Sequence, residues 1–157
     1  MTNEELMKIA IDESRENENN NYQNGGPFGA VIVKNGEIIA RAHNTVIEST
    51  DATAHAEINA IRIASKKLNT YDLSGCILYT SAEPCPMCLS AIIWANIKEV
   101  YYANNKKDVD EIGFRDDVIY EFLKGNKKET INLHHIEMEE AKNVFENFKK
   151  MKEKIIY

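Results

Sequence analysis

Apolar and polar positions along this chain follow two periods, and the switches between them mark its elements. Thr2 to Glu5 fits a capping box, so a helix is expected from there to about Arg15, with Leu6, Ile9 and Ala10, continued by Glu13, on one stripe. Asn17 to Asn24 is polar and turn-prone and reads as a loop. Gly25-Gly26-Pro27-Phe28-Gly29 breaks the chain before a strand at about Ala30 to Val33. Asn35-Gly36 is a hairpin turn, and Glu37 to His43 is the return strand. Ala54, Ile58, Ile61 and Ala64 give Thr53 to Lys66 helical spacing. Cys76 to Ser81 is a buried strand. Pro84 to Ile97 is an apolar helix whose two prolines fall in the first turn, where backbone donors are unpaired anyway. Glu99 to Ala103 is the next strand, Asp117 to Lys124 a short helix, Ile131 to Ile136 a fifth strand, and Glu139 to Lys154 a closing helix.

A strand–helix–strand unit requires parallel pairing with a right-handed crossover. The expected fold is therefore α/β: a three-layer α/β/α sandwich around a mixed five-stranded sheet, with residues 1–157 as one domain. Composition changes this picture little. The 19 Lys and Arg against 25 Asp and Glu leave a net charge of −6, which disfavours phosphate backbones and anionic membranes as partners and suits a small neutral substrate. Met1 to Glu5 carries no basic region followed by an apolar run, so no export signal is expected. Three cysteines, an odd number, point to a reducing cytoplasm and to metal or catalytic duties rather than a disulfide framework.

Two short segments carry the chemistry. His55-Ala56-Glu57 opens one helix, and Pro84-Cys85-Pro86-Met87-Cys88 opens another. The Cys-x-x-Cys spacing puts both sulfurs on one side of a first helical turn, where backbone donors and the dipole stabilise thiolates. One imidazole and two thiolates, from His55, Cys85 and Cys88, suit one Zn2+ per chain. Three protein ligands leave a fourth position for water, which marks a catalytic rather than a structural site. Glu57 is not needed for coordination and is placed to move protons. Together the two segments form the His-x-Glu plus Pro-Cys-x-x-Cys signature of zinc deaminases, which is highly specific as a pair and weak as halves.

The whole chain resembles the bacterial guanine deaminases of the cytidine-deaminase-like superfamily. The resemblance is carried by Gly25 to Val33, Thr53 to Glu57, Cys76 to Ala95, Gly113-Phe114-Arg115-Asp116-Asp117, Ile119-Tyr120 and the terminal Tyr157. It implies deamination of guanine, with His55, Cys85 and Cys88 on zinc and Glu57 shuttling protons. It further implies that Asn44 hydrogen-bonds the purine, that Asp116 contacts the guanine amino group and helps move a proton, and that Tyr157 closes the pocket. Family members often carry Asp where this chain has Arg115, so Asp116 and Asp117 compete for one role, and the gap-free register favours Asp116. The family also implies a homodimer whose C-terminal segments are exchanged to cover the pockets, and the apolar Ile155-Ile156-Tyr157 after a very polar stretch fits burial of that end.

Other readings weigh against this one. Cys76 as a fourth ligand of a structural site would lie a strand of about 16 Å away, so it is expected in the core. A thioredoxin-like redox centre explains Cys85 and Cys88 but leaves His55 and Glu57 idle. Cytidine deaminases usually have Cys in place of His55, and the tRNA adenosine deaminases usually follow the fourth strand with a Gly-rich Asp-Pro-Lys segment where this chain has Tyr102 to Asp108. Cytosine is the second-ranked substrate, followed by guanosine and related aminated heterocycles. Adjacent His134 and His135 point to opposite faces of a strand and cannot chelate together. Trp94 is expected in the core, with a pocket wall as the second reading.

Overall fold

The computed structural model describes all residues 1–157. Helix α1 (Asn3–Ser14) starts at the capping box: Thr2 Oγ1 accepts from Glu5 N at 3.1 Å, and Glu5 Oε2 accepts from Thr2 N at 2.7 Å. Strands β1 (Gly29–Lys34) and β2 (Glu37–His43) form the expected hairpin. Its turn residues Asn35 and Gly36 both take positive φ, 50° and 78°, which Asn-Gly tolerates best. Then follow α2 (Ala56–Leu68), β3 (Cys76–Ala82), α3 (Pro86–Trp94) and β4 (Glu99–Asn104). The strands lie in the order β2-β1-β3-β4, antiparallel except for the β3–β4 pair, which the α3 crossover makes parallel.

Side-chain alternation sorts the two faces of the sheet. Val31, Val33 and Tyr79 point to one side and pack with Leu6 and Ala10 of α1. Ala30, Ile32 and Leu78 point to the other and pack with Ala56, Ala60 and Ala64 of α2 and Ile92 of α3. The alanine ladder of α2 brings that helix close to the sheet. On the opposite face, Gly29 does the same for α1: a Cβ there would fall on Ala10 O and Ser14 N. These are the three expected layers.

The sheet has four strands, not five. Ile131 to Ile136 joins no ladder and is exposed throughout, with Leu133 81% accessible. The reason is the lack of a cover. The last helix, α6 (Glu139–Lys150), buries no residue, so a strand beside β4 would gain hydrogen bonds without apolar burial. Two short helices, α4 (Lys106–Glu111) and α5 (Asp116–Leu123), follow β4 instead; the first was not expected. From Leu123 to Tyr157 every residue is exposed. Trp94, expected in the core, is 63% accessible at the end of α3. Cys76 is in the core as expected, and no helix is long and apolar enough to cross a membrane.

Because the α1–β1 contact has no room for even a methyl group, Gly29→Ala should destabilise the protein by about 1–3 kcal/mol or more, the usual cost of overpacking. Urea unfolding checks this, and an unchanged midpoint would mean that α1 shifts freely on the sheet.

Candidate active site

Both signature segments lie at helix starts. His55 is the N-cap of α2 and Cys85 the N-cap of α3, each with extended backbone. Cys88 N donates to Cys85 Sγ at 3.5 Å, so an unpaired donor of the first turn meets a sulfur. His55 Nδ1 lies 3.5 Å from Cys85 Sγ and 3.6 Å from Cys88 Sγ. All three ligand atoms fall within 4.8 Å of one another. Zn–N near 2.0 Å and Zn–S near 2.3 Å at a tetrahedral angle put ligand nitrogen and sulfur about 3.5 Å apart. The residues present therefore fit one zinc ion, with both thiolates and the imidazole as ligands.

The electrostatics without the ion show what it must balance. The hydrogen bond with Cys88, and His55 beside it, pull the Cys85 thiol down to about 4 despite its burial. Cys88 is pushed up by Cys85 and by burial, so one sulfur of the pair holds the charge. His55 is raised, first by its hydrogen bond to Cys85. A dication removes the asymmetry, because metal-bound thiols are deprotonated. Glu57, one residue into α2, is 6% accessible. Burial pushes its carboxyl from 4.5 up to about 7, where a side chain both gives and takes protons at neutral pH.

These groups open into a cavity of about 720 Å³ whose wall includes Asn44, His55, Glu57, Glu83, Cys85 and Asp116. Phe28 and Phe114 contribute an edge-to-face pair to the same wall, with ring centroids 4.9 Å apart. Asp116, the first residue of α5, is raised by burial and then by the charge of Cys85. Of the two competing aspartates only Asp116 lines the cavity; Arg115 precedes it as N-cap and also reaches the wall. Glu83 was not singled out from sequence. It caps the start of α4, with Oε1 accepting from Lys106 N at 3.1 Å.

Asn44 follows β2 and is 5% accessible. Its Oδ1 accepts from Val46 N at 3.1 Å and Gly26 N at 3.3 Å. Both bonds use the oxygen, so Nδ2 is the amide atom left free to donate on a residue that lines the cavity. Asn59 of α2 supports the segment from behind, with Nδ2 donating to His43 O and Thr45 Oγ1, both at 2.9 Å. Sequence reasoning missed Asn59, although its place one helical turn beyond His55 was a usable signal. His43 has Nδ1 3.3 Å from Glu13 Oε2.

Tyr157 does not join this cavity within its own chain. It is 74% accessible and lies against Trp94 and Tyr71, ring centroids 5.7 and 6.2 Å away, beside a separate groove. His134 and His135 are exposed and belong to no metal-binding group.

Residues 1–104 match the cytidine and deoxycytidylate deaminase zinc-binding region. The guanine deaminase of Bacillus subtilis (strain 168) is 48% identical over 157 residues, covering 98% of this chain and 99% of that one. The tRNA-specific adenosine deaminase of Aquifex aeolicus is 44% identical over 104 residues, 66% of each chain. The crystal structure of the Bacillus subtilis guanine deaminase superposes with a TM-score of 0.92 at 46% identity, covering 100% of this chain and 99% of that one. A guanine deaminase from Nitrosomonas europaea superposes with a TM-score of 0.67 at 36% identity, covering 73% of this chain and 65% of that one. A tRNA-specific adenosine deaminase of Buchnera aphidicola is 34% identical over 146 residues, 93% of each chain, so the Bacillus match stands apart by its 48% identity over 98% of this chain rather than by its span alone. The chain belongs to the guanine deaminase family of cytidine-deaminase-like zinc enzymes.

Proposed function

We infer that the protein catalyses the zinc-dependent hydrolytic deamination of guanine to xanthine and ammonia. The observation that carries this reading is that Asp116 and Asn44 line one cavity with Glu57, His55 and Cys85, with Cys88 buried behind them within ligand distance. Bound zinc supplies a Lewis acid that makes water nucleophilic at neutral pH. Glu57 accepts one proton from the attacking water and delivers it to a ring nitrogen, then takes the second proton, from the new hydroxyl, and delivers it to the departing amine, which leaves as ammonia. Its pKa near 7 suits both directions. Asn44 Nδ2 donates to an acceptor on the purine edge. Asp116 meets the guanine amino group and assists its departure as ammonia. Phe28 and Phe114 provide the apolar wall for the ring.

The working enzyme is a homodimer in which the C-terminal segment of each chain covers the other chain's cavity, with Tyr157 as its closing residue. The exposure of the whole stretch from Leu123 supports this, including Phe145 at 78% and Ile155 and Ile156 at 71% and 72%. An amphipathic helix with no buried residue needs a partner surface, and exchange between identical chains supplies one at little cost. Nucleic acid is not a partner, since net charge −6 gives little counterion release. The three free thiols, two of them metal ligands, suit the reducing cytoplasm.

Ammonia release from guanine and cytosine tests the substrate. Guanine should be turned over faster, because a site built to hydrogen-bond its substrate rejects molecules lacking the matching groups; faster turnover of cytosine would sink the assignment. Glu57→Gln should still bind one zinc per chain, by elemental analysis, while losing about 10²-fold or more in kcat. The same variant has a pH signature in metal-free protein. With Glu57 raised from 4.5 to about 7, its bound proton stabilises the fold fully below pH 4.5, and that stabilisation is lost as pH rises through 7. Metal-free Glu57→Gln should therefore match wild type below about pH 4.5 and exceed it by about 3 kcal/mol above pH 7. Equal melting at pH 8 would place the carboxylate in water.

Removal of Ile155 to Tyr157 should lower turnover far more than melting temperature. Mixing this truncated chain with full-length Glu57→Gln should restore activity, since the mixed dimer joins an intact Glu57 to an intact covering segment. No recovery after verified subunit exchange would show that each tail serves its own chain.

A further inference from the structure

Asn17 lies in the polar loop after α1, outside the cavity wall, and none of its surface is accessible. Its Nδ2 donates two hydrogen bonds of 2.8 Å, one to Gly26 O and one to Asn44 O. Gly26 N in turn donates to Asn44 Oδ1. The three residues thus close a ring: Asn17 to Gly26, Gly26 to Asn44, Asn44 back to Asn17. Gly25 seals it, because a Cβ there would fall on Asn44 Oδ1 and O. The orientation of the Asn17 amide is determined by its surroundings, since reversing it would set an oxygen against two carbonyls. The cost is also visible, for Asn17 Oδ1 is buried with no partner. An amide buried with one atom unsatisfied is a poor device for stability alone, and its donors serve the two segments that set Asn44.

We propose that Asn17 is a positioning residue for substrate binding: it holds the Gly26 loop against Asn44, so that Asn44 Oδ1 stays engaged by backbone N–H groups and Nδ2 stays turned to the base. The proposal rests on the reading of Asn44 as the amide that binds the purine edge. Without the Asn17 donors, the Gly26 carbonyl and the Asn44 carbonyl separate, Gly26 N leaves Oδ1, and the Asn44 side chain rotates out of register. A contact that holds the base equally in ground and transition states affects KM and leaves kcat alone.

Asn17→Leu keeps the volume and removes both donors. Assayed on guanine in the zinc-loaded protein, with rates normalised to zinc content, it should raise KM about tenfold, the cost of one hydrogen bond, with kcat within about twofold of wild type. Asn44→Ala should raise KM to a similar degree, and adding Asn17→Leu to Asn44→Ala should raise it no further, because residues acting through one contact are not additive. If Asn17→Leu does not fold, Asn17→Ser, which retains one donor, is measured in the same cycle and should give a smaller rise in KM with the same non-additivity. A lower kcat at unchanged KM, or a full additional effect in the Asn44→Ala background, would reduce Asn17 to a structural residue and overturn the proposal. An unchanged KM in Asn44→Ala alone would overturn the role of Asn44 itself and the proposal with it.

Discussion

The site depends on one packing constraint: α2 and α3 must start side by side on the same face of the sheet. His55 caps one helix and Cys85 the other, and their ligand atoms are only 3.5 Å apart. An error of an ångström in either helix would open the group beyond the reach of one ion. The alanines of α2 set that helix's height above β1 and β2, and the parallel β3–α3–β4 crossover sets the other. Small side chains here are therefore part of the active site, since they fix the distance at which the two helix starts meet.

The same closeness creates an electrostatic problem and turns it to use. Two thiols, an imidazole and a carboxyl share a region with little water, and without an ion one thiol must remain protonated. Glu57 is held near neutrality by the burial that sets it beside His55, Cys85 and Cys88. A carboxylate in water, with a pKa near 4.3, would be a poor acid at pH 7. Site geometry and proton capacity thus share one cause, the burial of the first turn of α2.

The parts of the fold legible in the sequence are those whose partners are local. The Thr2–Glu5 box, the Asn35-Gly36 turn, the β3–α3–β4 unit and the Cys85–Cys88 spacing are settled within a few residues or by a chirality rule, and each forms as expected. Asn44 and Asp116 were reachable only through family resemblance, since each alone reads as a turn or a helix-start residue. Asn59 had one usable signal, its place a helical turn beyond His55, whereas Asn17 was not legible: its partners include a carbonyl 27 residues away, and a polar loop gives no period to follow. Trp94 was misjudged because an apolar helix near the end of its run can turn its last large side chain outward.

The misplaced fifth strand follows from a similar cause on a larger scale. Ile131, Leu133 and Ile136 have strand-like composition, and α6 has the two-faced pattern of a covering helix. A strand and its cover stabilise each other: an uncovered strand exposes its apolar face, and an uncovered helix exposes its stripe. Within one chain neither half finds the other, so both stay in water, while the four strands before them close around α1, α2 and α3 without their help. The two buried clusters of the sheet therefore contain no residue of the C-terminal segment.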